Sequence, residues 1–150
     1  MKNVYRVKRV LCFKLFWIVL VSCFCCNACI EADEMKAQIY IDEFKMIAIE
    51  EMHRMGVPAS IKLAQAMFES NFGRSDLAIR GNNHFGIKCY KSWKGGRLFY
   101  HDDKPNECFR QYDWVEDSYA DHSRIITSKK RYASLFELAP IDYKGWAKGL

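Results

Sequence analysis

The chain has 150 residues, with 23 Lys and Arg against 18 Asp and Glu, and 15% of its residues are aromatic. The whole positive excess is Lys2, Arg6, Lys8, Arg9 and Lys14, ahead of the first acidic residue, Glu31. Taking those five from the 23 leaves 18 basic against 18 acidic residues, so the basic balance gives no support for a nucleic-acid partner.

Residues 1–29 read as a leader. Leu15 to Val21 is an unbroken apolar run, far short of the roughly 20 residues that span a bilayer, and it suits the core of a signal peptide. Leu20-Val21-Ser22-Cys23 resembles the lipobox of bacterial lipoproteins, which would lipidate Cys23. Cleavage after Ala28 and an uncleaved anchor are the competing readings. Each implies export, to the periplasm or cell envelope. Five cysteines (Cys12, Cys23, Cys25, Cys26, Cys29) crowd this leader, leaving Cys89 and Cys108. In an oxidising compartment those two can pair, closing a loop worth on the order of 3 kcal/mol; two buried free thiols are the alternative. Neither has a second ligand at finger-like spacing, so no zinc is expected.

The remaining residues suit one modest domain, with few prolines and many aromatics arguing against disorder. Asp33 to Met55 reads as an amphipathic helix with Tyr40, Phe44, Ile47, Ala48, Met52 and Met55 on one face and Glu43, Glu50, Glu51 and Arg54 off it. Gly56 and Pro58 end it and open the next. The second helix is expected to run to about Phe72, burying Ile61, Ala64, Phe68 and Phe72 and leaving Lys62, Gln65 and Glu69 on its polar side. Phe85–Lys88, Arg97–His101 and Cys108–Tyr112 read as short strands, with turns at Gly95-Gly96 and at Asp102 to Asn106. Asp113 and Glu116 suggest a capping box for a helix that places Val115, Tyr119, His122 and Ile126 together, His122 as an interior histidine. Tyr132–Leu138 is a short helical piece, and Asp142–Leu150 begins another. Helices around a small antiparallel lobe make an α+β domain with a cleft between the parts.

Two stretches carry the chemistry: Ala64-Gln65-Ala66-Met67-Phe68-Glu69-Ser70-Asn71-Phe72-Gly73, and Gly81-Asn82-Asn83-His84-Phe85-Gly86-Ile87-Lys88. They put a carboxylate at a helix end just before a glycine- and asparagine-rich turn. Glycoside cleavage needs a carboxylic acid that protonates the leaving oxygen, and a second group serving the oxocarbenium-like centre on the other sugar face. Glu69 is the candidate acid, its aromatic neighbours favouring a desolvated carboxyl. A solvated surface glutamate is the plain alternative. Asp102 and Asp103 are candidates for the second group, ahead of Glu107, although aspartate is also an ordinary turn residue.

These motifs resemble the glucosaminidase family of peptidoglycan hydrolases, the flagellum-associated cell-wall hydrolases and autolysins. The resemblance covers about Phe44 to Leu150, including Tyr112-Asp113, Ser118-Tyr119-Ala120-Asp121-His122 and Arg131-Tyr132-Ala133. It implies a lysozyme-like fold with a helical lobe and a small antiparallel β-lobe flanking a glycan cleft, over residues 33–150. It also implies cleavage of the β-1,4 bond between N-acetylglucosamine and N-acetylmuramic acid, with Glu69 as general acid and the second carboxylate in the β-lobe at Asp102 or Asp103. Asn83, Phe85 and Tyr132 are the candidate substrate-binding residues. Family members usually continue into a Gly-Tyr-Ala-Thr-Asp-like segment, so a domain ending at Gly145-Trp146-Ala147-Lys148-Gly149-Leu150 is expected to be C-terminally short. The implied partner is peptidoglycan, bound by a monomer without metal or organic cofactor, with membrane contact only through a lipid anchor. A lytic transglycosylase and a glycan-binding protein that does not cut are the alternatives; the Asn83–Lys88 turn argues against the first.

Overall fold

A computed structural model describes residues 31–102 and 104–150. Residues 1–30, which include the expected leader and Cys23, and Asp103 lie outside the described residues. Packing divides the chain into Met1–Gln38 and Ile39–Leu150. Of the first unit the described part, residues 31–38, is helical and carries a Lys36–Asp33 ion pair of 2.7 Å.

Helix α1 covers residues 31–55. Tyr40, Phe44 and Ala48, four residues apart, bury the stripe that the periodicity predicts. The helix ends where Gly56 takes a φ of +77°, a conformation that suits glycine. Helix α2, Ala59–Glu69, follows Pro58.

The buried face of α2 differs from the expected one. Lys62, placed on the polar side by its charge, is fully buried, and Phe68, placed in the core, is 86% exposed. Ile61 faces inward as expected, joined by Lys62 and Ala66, while Ala64 is exposed. The lysine is accommodated because its ammonium reaches protein acceptors. Nζ donates to Tyr119 O at 3.1 Å and to Ser123 Oγ at 2.5 Å. Glu51, also expected on the outer face, is buried nearby and holds Arg54 Nε and Nη2 at 2.8 Å each. Burial pushes Lys62 down to about 8, with Glu51 opposing that fall. Burial also opposes the Glu51 charge, but hydrogen bonds from Arg54 and Ser123, with the Arg54 and Lys62 charges, hold it below the ordinary carboxylate range.

α2 stops at Glu69, three residues before the predicted end. Asn71, Phe72 and Gly73 all have left-handed backbone, with φ of 50°, 57° and 74°. Ser70 Oγ accepts from Gly73 N at 2.7 Å and closes the turn. A short helix that the sequence reading lacks follows: α3, Asp76–Gly81, capped by Ser75 and ended by left-handed Asn82.

Strands β1, Gly96–Tyr100, and β2, Glu107–Gln111, pair antiparallel with Leu98 opposite Phe109 and Tyr100 opposite Glu107. The third expected strand, 85–88, reduces to one bridge between Lys88 and Phe109. Cys89 and Cys108 form a disulfide, their α-carbons 5.3 Å apart. Helix α4, Val115–Ser128, starts one residue later than the capping pattern suggests: Asp117 Oδ2, and not the Asp113 and Glu116 pair, is the acidic cap, accepting from Trp114 N at 3.3 Å. A 3-10 segment, Lys130–Glu137, and helix α5, Tyr143–Gly149, complete the chain described.

Two apolar clusters hold the unit together. Tyr40, Phe44, Ala48, Ala66, Phe85, Ile87, Tyr112 and Tyr119 form one, and Val57, Ile61, Ile126, Leu135 and Trp146 the other. The first packs α1, α2 and α4 behind the 82–88 turn, which fixes the ground on which the site stands.

Candidate active site

The end of α2 is fastened to the 82–88 turn from behind. Tyr40 Oη lies 2.6 Å from His84 Nδ1 and 3.0 Å from Tyr119 Oη. Gly73 fits where a Cβ would meet the Tyr40 ring at 3.3 Å and His84 Cε1 at 3.6 Å. Burial pushes His84 down to about 4, so the imidazole is neutral and Nδ1 can accept the Tyr40 proton. His122, the interior histidine, stacks on Phe85 with centroids 4.0 Å apart. Burial and then the Lys62 charge push it down to about 3.

The turn keeps its shape through Asn83, which is 1% exposed. Its Oδ1 accepts from Ile87 N at 2.9 Å, and its Nδ2 donates to Ile87 O at 3.0 Å and Arg110 O at 2.9 Å. Those bonds replace the ladder that a strand over 85–88 would have made. They also carry Gly86, at a φ of +55°, against Glu69.

A cleft of about 510 Å³ opens at that meeting point. Glu69, Gly86, Lys88, Tyr100, His101 and Asp102 line it, with Ser75, Asp76, Leu77 and Phe109. Glu69 thus comes from the end of α2, and Asp102 from the turn after β1. Lys88 Nζ lies 3.1 Å from Asp102 Oδ2 and 3.0 Å from Glu107 Oε1. Tyr100 Oη accepts from Arg80 Nη1 at 3.2 Å.

The remaining candidates fall elsewhere. Asn83 is buried under the turn, and Phe85 is 8% exposed and packed against Tyr119 and His122, so neither lines this cleft. Their part is to build the turn. Tyr132 packs on the second core cluster, with its hydroxyl accepting from Arg131 Nη2 at 2.6 Å. The apolar setting expected for Glu69 is also missing, because Glu69 and Phe68 both face solvent. Lys88, His101, Tyr100 and the α3 residues are cleft residues to which the sequence reading gave no role. Ser75 followed by Asp76, a capping serine before an acidic first turn, is the signal that could have found α3. Among the described residues no group of three or more His, Cys, Asp or Glu side chains is placed to hold a metal ion.

The meeting of the two motifs agrees with the comparison to protein families. The family model Glucosaminidase, described as mannosyl-glycoprotein endo-beta-N-acetylglucosaminidase, matches residues 45–150. The chain belongs to this family. As a glucosaminidase-family domain it is 31% identical over 109 residues to the peptidoglycan hydrolase FlgJ of Vibrio parahaemolyticus, covering 65% of this chain and 35% of that protein. It is 32% identical over 136 residues to the exo-glucosaminidase LytG of Bacillus subtilis, covering 80% and 45%. The chain therefore spans between about a third and a half of these curated relatives. The crystal structure of a peptidoglycan hydrolase from Sphingomonas sp. A1 superposes with a TM-score of 0.65 at 28% identity, covering 75% of this chain and 74% of that one. The α+β architecture, helices beside a two-stranded antiparallel sheet, is that of these lysozyme-like hydrolase domains.

Proposed function

We propose that the chain is a peptidoglycan hydrolase that cuts the β-1,4 bond between N-acetylglucosamine and N-acetylmuramic acid. The supporting observation is the convergence of Glu69, Gly86 and Asp102 on one open cleft. Glu69 protonates the glycosidic oxygen as the C–O bond breaks, Asp102 stabilises or attacks the oxocarbenium-like centre across the sugar, and water adds at that carbon to leave the new reducing end. Asp103 is the alternative for that second role. Since Glu69 is exposed in the free chain, its desolvation comes from the glycan, which displaces water as it fills the cleft. The leader directs the domain out of the cytoplasm, with Cys23 as the lipidation site of an envelope anchor, and the domain works as a monomer.

Purified murein incubated with the wild-type chain and with Glu69→Gln tests this reading. The amide keeps the shape of the side chain but has no acidic proton to give. The expected result is new reducing N-acetylglucosamine ends from wild type only, with equal glycan retention by both. Equal retention without new ends from wild type would mean a binding protein, and 1,6-anhydromuramic ends a lytic transglycosylase.

A further inference from the structure

Lys88 is fixed in the cleft by an unusual combination of main-chain and side-chain contacts. Its backbone pairs with Phe109, while Arg110 N donates to Ile87 O at 2.9 Å and Cys89 N to Cys108 O at 2.7 Å. The disulfide follows at the next residue. From this anchored stem the ammonium passes over the Phe109 ring, 5.6 Å from its centroid, and reaches both sides of the hairpin turn. It meets Asp102 Oδ2 at 3.1 Å on the β1 side, and Glu107 Oε1 and Oε2 at 3.0 and 3.1 Å on the β2 side. The turn is held by two further contacts, Asp102 N to Lys104 O and Lys104 N to Glu107 Oε2, both 3.2 Å.

The ammonium shares its cleft with several further charges. Asp102 and Glu107 come from the hairpin, Glu69 from α2 and Asp76 from α3, with His101 and Lys104 beside them on the hairpin. The Lys88 side chain is 35% exposed and that of Asp102 52%, and pairs so open to solvent add little to folding stability. Their effect is on geometry: removing the cation takes away the group that draws the Asp102 and Glu107 carboxylates together across the turn.

We propose that Lys88 is a positioning residue for the reaction, clamping Asp102 and Glu107 so that the hairpin presents Asp102 to the glycan opposite Glu69. This rests on the hydrolase reading above. Lys88 makes no bond to the reacting atoms and acts through Asp102. Its loss therefore lowers turnover more than binding, since misplacement by about 1 Å can cost on the order of a hundredfold in rate.

The experiment measures kcat and KM on soluble glycan strands for wild type, Lys88→Met, Lys88→Arg, Asp102→Asn and the Lys88→Met/Asp102→Asn double variant. Lys88→Met is expected to lose roughly 30-fold in kcat with KM within about twofold. Lys88→Arg, which also offers a fork to two carboxylates, restores most of it. The double variant is expected to fall no further than Asp102→Asn, because two residues acting through one group do not multiply their losses. Amide exchange should quicken at Asp102 and Lys104 and stay unchanged in α2, which keeps the lesion local; if Lys88→Met fails to fold, Lys88→Arg and Asp102→Asn carry the comparison. An active wild type with unchanged kcat in Lys88→Met, or multiplied losses in the double variant, overturns the role of Lys88 and leaves the hydrolase reading standing. A wild type that releases no reducing ends overturns both.

Discussion

Gly86 stands beside the Glu69 carboxylate so closely that a methyl group added to it would lie 3.9 Å from Glu69 Oε2. Residues 17 positions apart in sequence are thereby joined at one wall of the cleft. The turn contributes bare backbone at the place where the proposed acid must reach a glycosidic oxygen. Gly86→Ala tests this closeness in two ways. The φ of +55° there makes any side chain strained, costing about 1–2 kcal/mol of stability. The methyl also occupies the approach to Glu69, so turnover is expected to drop about tenfold. Denaturant unfolding and release of reducing ends measure the two effects separately. Normal turnover alongside lowered stability would mean that the substrate does not use this gap.

Behind the same turn, the burial of His84 makes the fold sensitive to acid. His84 is pushed down to about 4 in the folded chain from an ordinary 6.5. Between those values the unfolded chain binds a proton that the folded chain refuses. The stability contributed by neutral His84 is thus complete above about pH 6.5 and is lost as pH falls toward 4. Between pH 7 and pH 5 the loss comes to about 2 kcal/mol. Urea unfolding at the two pH values reads it directly. His84→Gln should flatten the slope without abolishing it, since His122, pushed down to about 3, acts with the same sign. An unchanged slope in His84→Gln would remove His84 as the source.

Legibility in the sequence followed the kind of contact each residue makes. The α1 stripe was readable because Tyr40, Phe44 and Ala48 are ordinary apolar residues at helical spacing. The hairpin was readable because its strands are bounded by Gly and Asp-Asn turn signals. Lys62 misled because charge reads as solvent, whereas a long apolar stem can carry an ammonium to Tyr119 O and Ser123 Oγ inside. That one residue turned the predicted face of α2 and put Phe68 in the core when it is outside. The 85–88 segment misled because Asn83 supplies from its side chain the bonds that a neighbouring strand would have supplied. Glu69 itself carries no local mark of function. Its pairing with the Gly81–Lys88 turn became readable only through family resemblance, and the place of Lys88 in the cleft depends on contacts to Asp102 and Glu107 across the hairpin that no local pattern encodes.

The Cys89–Cys108 bridge ties the end of the turn to β2, one residue from both Lys88 and Phe109. It spans 19 positions of sequence and encloses β1 and the hairpin turn. Closing a loop of this length removes freedom mainly from the unfolded chain, worth about 3 kcal/mol. The two cysteines replaced together by serine should lower unfolding free energy by that amount, and dithiothreitol should do the same to the wild type. The β1–β2 ladder and the Lys88 contacts to Asp102 and Glu107 are made by groups other than the bridged sulfurs. Turnover at a temperature where the double variant remains folded should therefore stay within about threefold of wild type, because the bridge acts chiefly on the unfolded chain. Full loss of turnover by a folded double variant would give the bridge a direct part in shaping the cleft.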